Sequence, residues 1–256
     1  MSTHETSAHE TSTHEMSMHE TSAHEMSMHE QPILIAKNIE KTMCTKDIFT
    51  KKEKKLLWRI PEAKITESGF YVIGGKNGAG KSTLIRCLLG LLKPDKGTIS
   101  WFDGSPLNWK TAGYVPEFPV IPPAADAKKW LEWLLDTPAE KVLNTASALT
   151  RHPALNIASI LHVPANRLSK GQQQRIQLWS ALARDPKVVF LDEPFSGLDP
   201  WARVELAGVI KNLVENNRTV IMSTHELPQD LRNITKQTWL IENSQLNIST
   251  GCVLPN

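Results

Sequence analysis

Hydrophobic and polar positions divide the chain at Gln31. Residues 1–30 repeat S-x-H-E-[T/M] without a single aromatic or branched aliphatic side chain. Such a segment cannot bury enough surface to offset the entropy of ordering, so the pattern predicts a disordered tail, with Met28 as a second candidate start. From Gln31 onward apolar runs alternate with turn-formers. ILIAKNI (33–39) and LLWRI (56–60) predict strands around a lysine-rich turn, KKEKK. FYVIG (70–74) is a short β-rich run, followed at once by a glycine loop and the helical run STLIRCLLGLL. GTISWF (97–102) and AGYVP (112–116) predict two more strands. From about Ala124 to Leu168 the period turns helical, and Trp130, Leu131, Trp133 and Leu134 offer one apolar face, which predicts core positions for both tryptophans. A helix is expected over Gly171–Arg184, where Ile176, Trp179 and Ala183 recur at helical spacing. Then come a strand KVVFL (187–191), a helix from about Trp201, a strand TVIMS (219–223) and a closing pair near WLIE and LNIS. Strands alternating with helices predict an α/β fold on a mostly parallel sheet, interrupted by a helical insertion.

At 256 residues, 40% hydrophobic and 22% charged, the chain has ample material for a core. Cys44, Cys87 and Cys252 are far apart and lack C-x-x-C spacing. That argues against a disulfide framework or zinc finger and for a reducing compartment. The run LIRCLLGLL (84–92) contains Arg86 and falls well short of the roughly 20 apolar residues a membrane span needs. With no Lys, Arg or apolar core in residues 1–30, a secretory signal is not expected, and any membrane role must come through a partner. The net charge of +2 divides unevenly: residues 1–30 carry six Glu and no base, leaving 29 basic against 21 acidic groups in the rest. A mildly basic body fits nucleotide, nucleic acid or an acidic membrane surface equally well.

Three motifs narrow that choice. GKNGAGKS (75–82) matches G-x-x-x-x-G-K-[S/T] and lies between a strand and a helix, as a phosphate-binding P-loop requires. Glycines let backbone N–H groups converge on phosphate oxygens, and the helix N-terminus adds its positive end. The loop residues Gly75, Lys76, Asn77, Gly78, Ala79, Gly80, Lys81, Ser82 and Thr83 are thus the candidate ATP cradle. In it Lys81 reaches the β- and γ-phosphates and Ser82 ligates Mg2+. KVVFLDEP (187–194) ends an apolar strand in two carboxylates. Beside a P-loop, Asp192 would hold the Mg2+ and Glu193 would polarise an attacking water. The third motif is NRLSKGQQQR (166–175), directly before a helix.

LSKGQ followed by LDEPFSGLDP resembles the ATP-binding-cassette (ABC) ATPases, whose signature LSGGQ precedes the Walker B strand. The likeness covers about residues 31–245, with P-loop, signature, Walker B, D-loop (SGLDP, 196–200) and a late strand ending in His in family order. The resemblance implies a P-loop NTPase core with an antiparallel β subdomain and a helical signature subdomain (about 118–180), together making one ATP-binding domain over 31–256. It implies head-to-tail dimers, as a homodimer or with a paired ATPase subunit. Each ATP would lie between one P-loop and the partner's Leu168, Ser169, Lys170, Gly171 and Gln172. Asp199 would serve the partner's site, Glu193 would be the general base, and His225 would be the histidine that contacts the γ-phosphate.

Two positions depart from the family pattern. Lys170 stands where the signature has Gly, and is expected as a solvated lysine at a helix start, with an added positive charge near the phosphates as the alternative. Glu117, in GYVPE, stands where the family normally has Gln; as a candidate ATP-site residue it can still ligate Mg2+ or a water, and it adds a negative charge beside the triphosphate. GYVPE and LSKG together are similar to the exporter-type branch. Phe49 is a candidate for stacking on adenine, with ordinary packing as the even alternative. The proline-rich stretch EFPVIPPAADA (117–127) lies where the family contacts its membrane subunit. The resemblance therefore implies an ATP-hydrolysing subunit of a transporter, peripheral at the cytoplasmic face of the membrane, with integral membrane permease subunits as partners and no nucleic acid. The alternative is a non-transport ABC ATPase on ribosomes or DNA. One cassette, and only 86 residues without sustained heptads between Lys81 and Leu168, argue against it.

MSTHE occurs at residues 1–5 and again at 222–226. Only the second copy follows a strand that delivers its histidine, His225, to the nucleotide. In the tail, six His recur every five residues, and successive side chains would rotate about 500° around a helix. They form no ready metal face, and a solvated tail is expected, with loose wrapping around Zn2+ or Ni2+ as the alternative.

Overall fold

The computed structural model describes residues 32–45, 53–102, 104–118, 120–138, 141, 143–144 and 146–254. The repeat tail and Phe49 therefore lie outside the described residues.

Apolar runs with no polar alternation form the centre of the sheet. β3 (Phe70–Gly75), β6 (Val188–Asp192) and β7 (Thr219–Ser223) are buried along their lengths. Their side chains alternate between two cores, because successive residues of a strand face opposite ways. Phe70, Val72, Val189, Leu191, Val220 and Met222 enter one core; Tyr71, Ile73, Val188, Phe190 and Ile221 enter the other. Burial on both faces is what parallel strands covered by helices require.

One nine-stranded sheet runs in the order β4-β1-β2-β9-β8-β3-β7-β6-β5. Here β1 is Leu34–Thr45, β2 Glu53–Ile65, β4 Lys96–Trp101, β5 Ala112–Val115, β8 Thr235–Glu242 and β9 Gln245–Thr250. The strands β8, β3, β7, β6 and β5 are parallel, whereas β1 pairs antiparallel with β2 and β4. The β8–β9 hairpin joins the two parts, and a single parallel pairing, Arg59 with Gln245, links β9 to β2. The expected mostly parallel core with an antiparallel portion is what forms.

β1 and β2 are longer than their apolar runs. Of the expected KKEKK turn, Glu53, Lys54 and Lys55 belong to β2, paired with Thr45, Cys44 and Met43. Lys54 and Lys55 are exposed, so ladder hydrogen bonds extend the strand past the residues that bury anything.

Helices among the described residues include α1 (Lys81–Leu88), α2 (Ala127–Leu135), α3 (Lys170–Leu182), α4 (Pro200–Glu215) and the single turn α5 (Gln229–Arg232). The helical pattern over Ala124–Leu168 resolves differently from the expectation. After α2, residues 146–168 hold four short 3-10 turns. Ser147 and His152 accept hydrogen bonds from backbone N–H groups two residues on, and Pro153 and Pro164 withhold donors, so no long helix can run through. Trp130 is buried as expected, but Trp133 is 79% exposed. The buried positions Ala127, Trp130 and Leu131 share one face of α2, and a rotation of about 100° per residue carries Trp133 to its side.

The link into β4 is fixed by charge. Asp95 accepts hydrogen bonds from Lys41 Nζ (2.9 Å), Thr42 N (2.7 Å) and Thr42 Oγ1 (2.7 Å). These partners, Lys41 first, hold its carboxyl down to about 2. A lowered folded value means the stabilisation is complete above the ordinary value of 3.8 and is lost as pH falls toward 2. Asp95→Asn should lower stability at pH 6 by no more than about 1 kcal/mol, since the side chain is 41% exposed. The gap between wild type and variant should close between pH 4 and pH 2 in thermal melts followed by circular dichroism. A gap still at its pH 6 size at pH 2 would remove the carboxylate from this account.

Candidate functional site

The parallel strands β3, β7, β6 and β5 end side by side, and the motif residues follow those ends. Open α/β sheets bind ligands at such carboxyl edges. β3 delivers the glycine loop, β6 delivers Asp192 and Glu193, β7 leads through Ser223 to His225, and β5 leads to Glu117. The cleft they form is lined by Asn77, Gly78, Lys81, Ser82, Glu117, Glu193 and His225, among others.

The loop is shaped for an anion. Gly80 caps α1 with φ +98°, a left-handed conformation favouring glycine, and no side chain accepts a hydrogen bond at this cap. The first N–H groups of α1 therefore face the cleft with the helix's positive end behind them. Lys81 Nζ donates to Gly75 O at 3.0 Å and lies 3.0 Å from Glu193 Oε1. Both side chains of that pair are about nine-tenths buried, and Oε1 receives no well-aligned hydrogen bond, so the contact is an ion pair. Its other oxygen, Oε2, lies 3.1 Å from His225 Nδ1.

Asp192 is 1% exposed, and its Oδ1 accepts from Ser82 Oγ (3.0 Å) and Ser223 Oγ (2.5 Å). Ser223 also holds the next residue: Glu193 N donates to Ser223 O (3.1 Å) and to its hydroxyl (3.0 Å). This clamp sustains a left-handed turn at Glu193, φ +45°, which a non-glycine residue adopts only when its surroundings impose it. The turn aims the carboxylate back at Lys81. A hydroxyl and a carboxylate 3.0 Å apart are hard oxygen donors, a set that suits Mg2+ completed by phosphate oxygens. Among the described residues no three His, Cys, Asp or Glu side chains gather into a self-sufficient metal cage.

The signature residues lie elsewhere. Leu168 is buried, and Ser169 caps α3, its Oγ accepting from Gln172 N (3.2 Å) while Gln172 Oε1 accepts from Ser169 N (2.9 Å). None of residues 168–172 lines the cleft. Asp199 caps α4, accepting from Ala202 N at 2.9 Å. Lys170 is half-buried against Gly197 rather than solvated. Lys76, Ala79 and Thr83 occupy the loop and the first turn of α1, with Thr83 also in the lining. Two residues without a motif of their own support the site. Ser223 is the last letter of TVIMS, and Trp58, in LLWRI, donates its indole N–H to Gly80 O at 3.3 Å.

The family model described as ABC transporter matches residues 61–196. The cytochrome c biogenesis ATP-binding export protein CcmA of Rhizobium johnstonii is 34% identical over 170 residues, 63% of this chain and 77% of that one. The zinc import ATP-binding protein ZnuC of Photorhabdus laumondii is 36% identical over 154 residues, 60% of this chain and 56% of that one. The chain spans 48% to 62% of the length of three further curated relatives. A solved structure of an ATP-binding subunit of an ABC transporter superimposes with a TM-score of 0.68 over 85% of this chain and 90% of that one, at 21% identity, a likeness of fold.

Proposed function

This chain belongs to the ABC transporter family, and on that footing we propose that it binds and hydrolyses ATP to drive transport through membrane subunits carried on other chains. The observation that carries the reading is the meeting, in one cleft, of a helix N-terminus without a side-chain cap, Lys81, Ser82 backed by the buried Asp192, and the Glu193–His225 pair. The triphosphate lies along the N–H groups of Gly75–Thr83, and Lys81 meets its terminal phosphates. Ser82, Asp192 and Glu117 would hold Mg2+. When bound, the ion neutralises phosphate charge. The arriving phosphate competes with Glu193 for Lys81, freeing the carboxylate to take a proton from the attacking water at Oε1 or Oε2. His225 orients that carboxylate from 3.1 Å.

Residues 168–172 lie outside their own chain's cleft, which supports a reading in which Ser169 and the Gly171 N–H meet a nucleotide held by a second subunit. In that reading the subunits pair head to tail, with Asp199 near the shared site. Residues 31–256 act as one ATP-binding domain with the helical part over about 118–180. For the membrane partner, Phe118 and Val120 stand 70% and 58% exposed beside Glu117, a ready apolar contact surface. Among the described residues no helix is long and apolar enough to cross a membrane. We place the chain at the cytoplasmic face, held by its permease. Relatives named for export and for import match alike, so the exporter-like motifs assign no direction.

Affinity capture of the full chain from solubilised membranes should recover an integral membrane protein, and the purified complex should hydrolyse ATP only with Mg2+. Recovery of ribosomes or DNA in its place would overturn the transport reading.

A further inference from the structure

Lys170 is the signature position that departs from the family pattern, and its side chain has a specific seat. It is the first residue of α3. A Cβ built on Gly197 would lie 2.9 Å from Lys170 Nζ, 3.3 Å from Cδ and 3.6 Å from Cε. The lysine chain thus lies across the bare face of a glycine, one whose φ of +68° also favours the absence of a side chain. Among the described residues Lys170 makes no ion pair that would explain this placement. One turn further along α3, on the same face, Gln174 Nε2 donates to Pro194 O. Between them Leu198 packs toward Gly171, its Cδ2 3.8 Å from where a Cβ would stand.

The loop gripped in this way is the link between the two halves of the proposed site. It begins at Glu193, is folded by Ser196 N→Glu193 O (3.1 Å) and Leu198 N→Phe195 O (3.3 Å), and ends at Asp199 capping α4. Ser196 lines the nucleotide cleft. We propose that Lys170 is a positioning residue: with Gln174 it clamps loop 194–199 onto the first turns of α3, so that the signature helix sets the placement of Ser196 and of the backbone leading out of Glu193. With glycine at this position the upper half of the clamp does not exist. The agent is the four-carbon chain, whose Cδ and Cε stand 3.3 and 3.6 Å from where a Gly197 Cβ would be.

Two variants of the full chain test this. Lys170→Ala removes the chain while keeping a good helix former, and Lys170→Met keeps a chain of similar reach without the charge. Hydrogen exchange, measured without nucleotide, should be about 10-fold faster at the Ser196 and Leu198 amides in Lys170→Ala, unchanged at β7, and near wild type in Lys170→Met. In steady-state assays kcat should fall about 5-fold in Lys170→Ala with KM for ATP within 2-fold, and Lys170→Met should restore it. The kinetic part rests on the ATPase reading, whereas the exchange part does not; a wild-type chain without ATPase activity would sink the former and leave the clamp to be judged by exchange. Unaltered exchange at 194–199 in Lys170→Ala would overturn the proposal. So would a Lys170→Met variant as impaired as Lys170→Ala, which would assign the role to the ammonium.

Discussion

Glu193→Gln should bind ATP at least as tightly as wild type and turn it over at least about 100-fold more slowly, within the 10²- to 10⁴-fold range that a positioned general base supplies. The amide has the shape of the carboxylate but no capacity to accept the water's proton at neutral pH. Shape matters here because Glu193 is 9% exposed and fits between Lys81 Nζ at 3.0 Å and His225 Nδ1 at 3.1 Å. The clamp from Ser223 acts on the Glu193 backbone, so the strained turn survives the substitution. Binding is preserved or tightened for an electrostatic reason. In the resting chain Lys81 is shared between Gly75 O and Glu193, and phosphate must draw it from a buried ion pair. Removing one charge of such a pair leaves the other seeking a partner, which the triphosphate provides. The variant should therefore accumulate as an ATP-bound dimer by size-exclusion chromatography, with phosphate release near background. Wild-type turnover in this variant would end the general-base role for Glu193.

The parts of this site that were legible in the sequence are those in which function is local. In GKNGAGKS one stretch supplies the turn, the positive-φ glycine and the lysine, because a phosphate cradle is built from consecutive backbone. The run KVVFLDE works likewise: burial on both faces marks a parallel strand, and its first polar residues stand at the sheet edge. TVIMS was legible to the residue for the same reason. What could not be read is non-local or cooperative. The strand pairing that carries β2 through Glu53–Lys55 depends on β1, not on those side chains. The 3-10 turns of 146–168 arise where caps and prolines cut an apolar pattern whose period alone reads as helix. Trp133 fits a helical apolar stripe but falls beyond its buried edge. Lys170 is misread as a solvated cation because the glycine it covers comes 27 positions later in the chain. Ser223 looks like the end of a strand, and only the sheet order β7-β6 sets it 2.5 Å from Asp192.

Trp58 is the furthest of these from any motif, and its removal should have the largest effect on stability. It lies in the antiparallel part of the sheet, is fully buried, and its indole reaches under the phosphate loop. A methyl group at Gly80 would stand 2.9 Å from both Cδ1 and Nε1, so the ring and the helix-capping glycine are in close contact. The indole N–H also donates to Gly80 O, a carbonyl that accepts from Leu84 N at 2.8 Å in the first turn of α1. Trp58→Ala should cost about 3–5 kcal/mol, the usual cost of emptying a large aromatic site. It should also weaken ATP binding by at least about 10-fold, because the loop loses the floor that fixes its cap. Trp58→Phe keeps most of the packing and loses the donor, so it should cost only about 1 kcal/mol beyond the change in volume and weaken ATP binding a few-fold. Urea unfolding and titration calorimetry measure the two effects separately. If Trp58→Ala lowers the unfolding midpoint while ATP affinity stays at the wild-type value, the indole serves the core alone and the loop holds its shape without it.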